Sequence, residues 1–271
     1  MAMNDLSERP AQALDVATAP KRARQVVGQS DAAFVLHTYA YRETSLIVET
    51  FTRLHGRVVM VARGAKRPNG AMRGVLNPFQ GLSLAWFGKS EMKTLKSAEQ
   101  ERILPQLSGG ALLSAFYLNE LLLKLASRED PHEQLYDAYA AAMTSLAMLT
   151  AGNRSVREIA PILRQFEVTL MQELGYALQL REEANSHVPI LPERAYLYIV
   201  ERGPISVGSV AQQPGGSDGL PLQGKTLIDM ACCDYRDPQT QSQSKQLMRM
   251  MINHLLGDKI LHTRQLIREM R

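Results

Sequence analysis

The chain has 271 residues, 45% of them hydrophobic and 21% charged. That balance excludes a wholly disordered, collagen-like or fibrous chain and leaves room for one large domain or two ordinary ones. Lys and Arg number 31 against 27 Asp and Glu, a net of +4 that says little until it is resolved along the chain.

Residues 1–30 carry a net of +1, residues 31–105 hold 11 basic and 6 acidic residues for a net of +5, and residues 106–271 hold 16 and 18 for a net of −2. The excess sits in the first third of the ordered chain, as expected if one module meets a polyanion and the other does not. The two cysteines, Cys232 and Cys233, are adjacent. Neighbours do not easily form an unstrained bridge, so a reducing, cytoplasmic setting is expected. Asp5, Glu8 and Arg9 interrupt the stretch where a secretory apolar region would lie. The longest weakly polar run, Ala138 to Ala151, is far short of the ~20 residues needed to span a bilayer and reads as a buried helix. No membrane role is expected.

Residues 1–30 lack apolar periodicity and end in Lys21, Arg22 and Arg24; they read as a disordered, solvated arm. From Ala32, short segments rich in β-branched and aromatic residues follow: Phe34 to Tyr39, Ser45 to Phe51, Arg57 to Arg63, Phe79 to Phe87 and Glu91 to Ser97. Turn signals separate them at Arg42 to Thr44, His55-Gly56, Gly64 to Gly74 and Gly88-Lys89. Five short strands are too few for most sandwiches, and a small closed barrel removes exposed edges, so a five-stranded OB-type barrel is expected over residues 31–105.

After Pro105 the period lengthens to that of helices, with Leu112, Leu113, Phe116, Tyr117, Glu120, Leu121 and Lys124 as one set and Leu135, Tyr136, Tyr139, Met143 and Leu146 as the next. Ser155 to Glu158 has the form of a capping box. It opens a helix in which Pro161 either stands near the first turn or makes a kink, and which stops at Gly175. Residues 181–221 are rich in Pro, Gly and Ser, with one candidate strand pair, Tyr196 to Val200 and Ile205 to Val210, across Gly203-Pro204. Helices are expected again at about Gln239 to Leu256 and Asp258 to Met270. The expected fold is thus α+β and multidomain, a barrel followed by a helical domain over 106–271 with a loop-rich insertion at about 181–225.

The candidate nucleic-acid-binding cations are Arg53, Arg57, Arg63, Lys66, Arg67, Arg73, Lys89 and Lys93, with Lys96 and Arg102 in the same stretch. Lys66 and Arg67 stand in a glycine-containing loop that can lay charges against phosphates, where counterion release supplies most of the affinity. A solvated basic face is the alternative; the coincidence of the excess with a barrel favours nucleic acid. Trp86 and Phe87 are consecutive, so on a strand they point to opposite faces, and one of them is a candidate stacking platform, taken as Trp86. Phe34, Phe51 and Phe79 read as core.

Gly219 to Thr226 satisfies GxxxxGK[ST], the pattern of a loop that cradles nucleoside phosphates. Such a loop needs a buried strand before it and a helix after it, but the preceding run Gln212 to Asp218 cannot be a central strand, and the 45 residues after Thr226 are too few for the alternating strands and helices of an NTPase core. A P-loop NTPase is therefore the minor alternative. The six histidines show no metal-ligand spacing with each other or with the cysteines, and no catalytic set is readable.

Several motifs, in order, carry a family resemblance. They are Phe34-Val35-Leu36-His37, Glu43-Thr44-Ser45-Leu46, Gly56-Arg57, Ala62 to Arg67, Leu76-Asn77-Pro78-Phe79 and Glu91 to Leu95. The series continues with Tyr117 to Leu122, Phe166-Glu167, Leu174-Gly175-Tyr176 and Leu256-Gly257-Asp258-Lys259 to Arg264. Over about residues 32–270 the chain resembles the bacterial RecO family of recombination mediators. The resemblance implies an OB-fold before a helical domain and a non-enzymatic role in recombinational repair: binding single- and double-stranded DNA, annealing complementary strands, and acting with RecR to load RecA onto strands coated by single-strand-binding protein. Some members place four cysteines as a zinc site after the Leu-Gly-Tyr motif, whereas Arg181 to Pro192 contains none, which argues against zinc; no cofactor is expected. The family also docks the acidic, apolar C-terminal tail of single-strand-binding protein, which needs a cation beside a hydrophobic groove. Lys124 and Arg164 are the candidates, against an ordinary helix-surface role. A third reading is an interaction scaffold acting through the helical domain.

Overall fold

The computed structural model describes residues 29–68, 70, 72–152, 158–207 and 219–269. The arm up to residue 28, the Ser155–Arg157 part of the capping box and the end of the second strand of the insertion lie outside them. Five strands, β1 (Gln29–Tyr41), β2 (Ser45–Thr52), β3 (Gly56–Ala62), β4 (Gly81–Phe87) and β5 (Met92–Arg102), close a barrel in the order β1-β2-β3-β5-β4. All pairings are antiparallel except β3 with β5. This is an OB-type barrel. Its interior is filled by Val35, Val48, Met60, Leu82, Leu84 and Trp86, all buried.

Two strands outrun the sequence expectation for a tertiary reason. The first residues of β1, Gln29 to Ala32, have no β-branched side chain, yet they pair with β4 while the rest of β1 pairs with β2. The stretch Ala98 to Arg102 extends β5 by pairing back along β4. Pairing overrides weak intrinsic preference in both. Phe79 is the opposite case: it adopts a left-handed backbone (φ 69°) before β4 begins, and its ring packs edge-on against Phe116 at 5.0 Å.

Three helices follow, α1 (Gly109–Leu125), α2 (Glu133–Ala151) and α3 (Ile159–Glu173). Ala138 to Ala151 lies in α2 and lines the core with Tyr139, Met143 and Leu146. Pro161 is the third residue of α3, where its missing N–H is harmless. A small sheet of β6 (Ala195–Ile199), β7 (Gly203–Ser206) and β8 (Leu220–Gln223) comes next, in the order β7-β6-β8. Its hairpin turns at Glu201-Arg202, not at Gly203-Pro204, because Gly203 and Pro204 pair with Ile199 and Tyr198. The chain ends in α4 (Gly224–Ala231), α5 (Pro238–Leu256) and α6 (His262–Glu269). Among the described residues no helix is long and apolar enough to cross a membrane.

The barrel and the helices share one core. Phe34 and Phe51 point out of the barrel and pack against Tyr136 and Tyr139 of α2, with ring centroids 5.0–6.2 Å apart. Asn119 of α1 donates to the Leu36 carbonyl at 2.8 Å and accepts from the Tyr139 hydroxyl. Gly56, at the β2–β3 turn, lets the α1–α2 loop approach: with φ +66° and the Asp130 carbonyl oxygen 1.9 Å from where a Cβ would stand, no other residue fits without displacement.

Candidate nucleic-acid interface

The basic residues of the barrel fall into two groups according to what lies beside them. The first faces the helices. Arg57 of β3 is only 8% exposed and donates to the carbonyls of Leu123 (2.7 Å) and Ala126 (2.8 Å), satisfying the open carbonyls at the end of α1, while also pairing with buried Glu49 at 3.2 Å. Arg128 shares Glu49 and reaches Glu91. Lys93 pairs with Glu129 at 2.6 Å. Arg53 hydrogen-bonds Asp137 through two nitrogens at 3.0 Å, which holds that carboxyl below the usual carboxylate range, and it pairs with Glu133. Three of the cations that the sequence nominates for nucleic acid, Arg53, Arg57 and Lys93, are therefore committed to carboxylates and carbonyls at the barrel–helix junction. Arg57 is a correction outright, because a buried guanidinium cannot reach a phosphate.

The second group collects at the opposite end. Arg63 leaves β3, Lys66 and Arg67 follow in the loop, and Arg73 stands further along it, all exposed. Two backbone bonds and one side-chain bond build the loop: the Lys66 amide donates to the Thr44 carbonyl of the β1–β2 turn, the Arg67 amide donates to the Gly64 carbonyl, and the Arg73 guanidinium closes onto the Pro68 carbonyl, each at 3.0 Å. The Lys66–Thr44 bond brings Arg42 to the same end. Sequence reasoning passed over Arg42 because it read those residues only as a turn. Its adjacency to Tyr41, in a β1–β2 turn of an OB-type barrel, was the available signal. Among the described residues none of these five cations has a carboxylate partner. Lys89, exposed in the β4–β5 turn, lies outside this cluster, and Lys96 and Arg102 are exposed along β5.

The aromatic expectation also needs correction. Trp86 is 0% exposed, sealed in the barrel with its indole N–H on Gln29 at 2.9 Å and its ring edge-to-face with His55. It has no face for a base. Phe87, its neighbour, is 38% exposed.

Two family models account for nearly all the described chain: "Recombination protein O N terminal" matches residues 28–103 and "Recombination protein O C terminal" residues 106–264. The chain belongs to the RecO family. It is 49% identical over 242 residues to the DNA repair protein RecO of Nitrosospira multiformis, covering 89% of this chain and 95% of that protein. It is 47% identical over 239 residues to the RecO of Aromatoleum aromaticum, covering 88% and 94%.

Within this RecO-family chain the phosphate-loop motif does not form a loop. Leu220 to Gln223 is strand β8, paired residue by residue with β6, and α4 begins at Gly224. The first amides of that helix are already engaged, Gly224 donating to Arg194 and Lys225 to Pro192. Lys225 itself is paired with Asp229 and Asp237. The cradle that phosphates need is occupied by the protein's own backbone and carboxylates.

The two partner-binding candidates fare no better as free charges. Arg164 is buried, facing Glu167 of the same helix through both terminal nitrogens (2.8 and 2.9 Å), so the exposed cation expected beside a groove is internal to the fold. Glu167 also accepts from the Tyr117 hydroxyl at 2.8 Å. Burial pushes its carboxyl above the ordinary glutamate range despite the nearby Arg164. Lys124 pairs with Glu120 at 3.5 Å, and its carbonyl accepts from Lys259 at 3.0 Å. Cys232 and Cys233 are free and exposed, and among the described residues no group of three metal-ligating side chains stands together.

Proposed function

We propose that this protein is a recombination mediator that binds single- and double-stranded DNA at the loop end of its barrel and anneals complementary strands. The observation that carries the reading is the cluster of Arg42, Arg63, Lys66, Arg67 and Arg73, exposed and, among the described residues, in no ion pair with a carboxylate. Cations outside any internal ion pair lie ready to displace the counterions of a phosphate backbone, whereas ion-paired ones would first have to leave their carboxylates. Two strands screened by such a cluster can meet, and base pairing supplies the free energy of annealing, so no cofactor and no catalytic group is needed. Family membership extends the proposal to action with RecR, to docking of the C-terminal tail of single-strand-binding protein, and to loading RecA, in the cytoplasm at the nucleoid. Phosphate contacts carry no sequence information, so binding is expected to be indifferent to sequence.

The test is a salt series on the full chain and on the triple variant Arg63→Ala/Lys66→Ala/Arg67→Ala, with annealing of labelled complementary oligonucleotides measured alongside. Each phosphate contact removed flattens the plot of log K against log salt by about 0.7 for single strands, so the triple variant should lose roughly two units of slope and most of its annealing. An unchanged slope would refute the assignment of the site.

A further inference from the structure

Among the described residues, the helices cover one half of the outer surface of β1, β2 and β3 and leave the other open. Directly opposed residues of paired strands share a face, so Phe34, Phe51 and Arg57 lie on one outward surface of β1, β2 and β3. Helix α2 and the end of α1 bury that half. A bulge between Val35 and His37 shifts the alternation, and beyond it His37, Tyr39 and Tyr41 point outward. Tyr39 is 48% exposed and lies in a row with half-buried Ile47 and Val61 on the neighbouring strands. His37 meets Tyr39 edge to face at 4.5 Å. Arg42, held in a left-handed backbone conformation (φ 52°), lays its guanidinium 5.2 Å from the centre of the Tyr41 ring. Three rings on one strand thus run from the covered half directly to the unpaired cations.

We propose that the His37–Tyr39–Tyr41 row is a base-stacking platform that makes this site selective for unpaired strands, while the loop cations bind the phosphates of any strand. The inference rests on the DNA-binding reading above and adds what distinguishes one strand from two. Bases stacked in a duplex have their faces closed to side chains. An unpaired strand can spread its bases onto the rings, with Tyr39 the open ring and the Arg42–Tyr41 pair turning the backbone toward Arg63 and Lys66. Exposed Tyr39, flanked by His37 and half-buried Tyr41 and set beside half-buried Ile47 and Val61, suits this use, since any base offers a face and no hydrogen-bond pattern is required.

The experiment measures the affinity of the full chain for three probes of equal length, a single strand, a duplex, and an abasic single strand that keeps the phosphates and lacks bases. The variants are Tyr39→Ala/Tyr41→Ala and Tyr39→Phe/Tyr41→Phe, with thermal midpoints recorded for both. The alanine pair should weaken single-strand binding on the order of tenfold or more, leave duplex and abasic binding within about twofold, and the phenylalanine pair should restore the single-strand value. Equal losses on all three probes, or no loss on the single strand, would overturn the stacking platform and leave phosphate binding standing. Failure of the wild-type chain to bind any probe would overturn both.

Discussion

Replacing Arg57 by alanine should separate stability from DNA binding more sharply than any other single change. The substitution removes two short charge-assisted hydrogen bonds, to Leu123 and Ala126, together with the 3.2 Å contact to Glu49, all at a side chain nearly out of solvent. Breaking a buried ion pair by deleting one partner destabilises by about 3–5 kcal/mol. Here Glu49 retains Arg128 at 3.1 Å, so the lower end, ~3 kcal/mol, is the better figure. At ~2–4 °C per kcal/mol for chains approaching this size, the thermal midpoint should fall roughly 6–12 °C. Below that midpoint the affinity for DNA and its salt slope should match the wild type, because no phosphate contact has been lost. Thermal denaturation followed by circular dichroism and a binding titration at two salt concentrations measure both quantities on one preparation. A shift under about 2 °C accompanied by a salt slope flatter by ~0.7–0.9 would show that Arg57 faces the nucleic acid and would refute the reasoning.

Three further outcomes follow from other contacts. Glu167→Leu leaves Arg164 buried without its carboxylate and should cost about 3–5 kcal/mol in urea denaturation, with most of that recovered in Arg164→Met/Glu167→Leu. Gly56→Ala, which combines a left-handed backbone with a Cβ driven into the Asp130 carbonyl, should cost about 2 kcal/mol or more, whereas Gly74→Ala, equally left-handed but with open space around it, should cost nearer 1 kcal/mol by the same denaturation. Burial tends to raise the Glu120 carboxyl, but bonds from the hydroxyl and amide of Thr263 and the amide of His262 outweigh it, and the net displacement is downward. A carboxyl lowered in the folded state contributes stability above its unfolded value of ~4.3, lost as pH falls through the folded value. The difference in urea midpoint between wild type and Glu120→Gln should therefore be full at pH 6 and shrink below about pH 4.

The order and kind of the early elements were legible because each strand carries its own signal, a short β-branched or aromatic run between turn residues, and the barrel follows from their number. What stayed hidden was held by pairing alone. Gln29 to Ala32 and Ala98 to Arg102 have little strand preference and become strands because each lies against β4. The short strand β8 was hidden for a different reason: Leu220 to Gln223 spells part of a nucleotide motif, and only the buried Leu222 and its register with Tyr196 reveal it as sheet.

The site was legible as a charge excess and illegible as a surface. Arg57 and Arg63 are six residues apart on and just beyond one strand, an even spacing that directs both to the same outward side. Alternation therefore ranks them equally, and only the α1–α2 connection lying over one end of that side, brought there by the glycine at position 56, buries the first and leaves the second in solvent. Trp86 and Phe87 are the simpler case: β4 alternates without a break, Leu82, Leu84 and Trp86 fill the barrel while Phe87 faces out, and the register shift beside them is taken up by Lys96 of β5. For Trp86 parity with Leu82 and Leu84 is enough, whereas for Arg57 and Arg63 parity identifies only the side of the strand and exposure depends on a distant segment. In the proposed interface a charge or an aromatic ring can take part only where its side of the strand faces outward and is left uncovered by the described residues, a condition that Tyr39, Tyr41, Arg42 and Arg63 meet and that the inward Trp86 and the covered Arg57 do not.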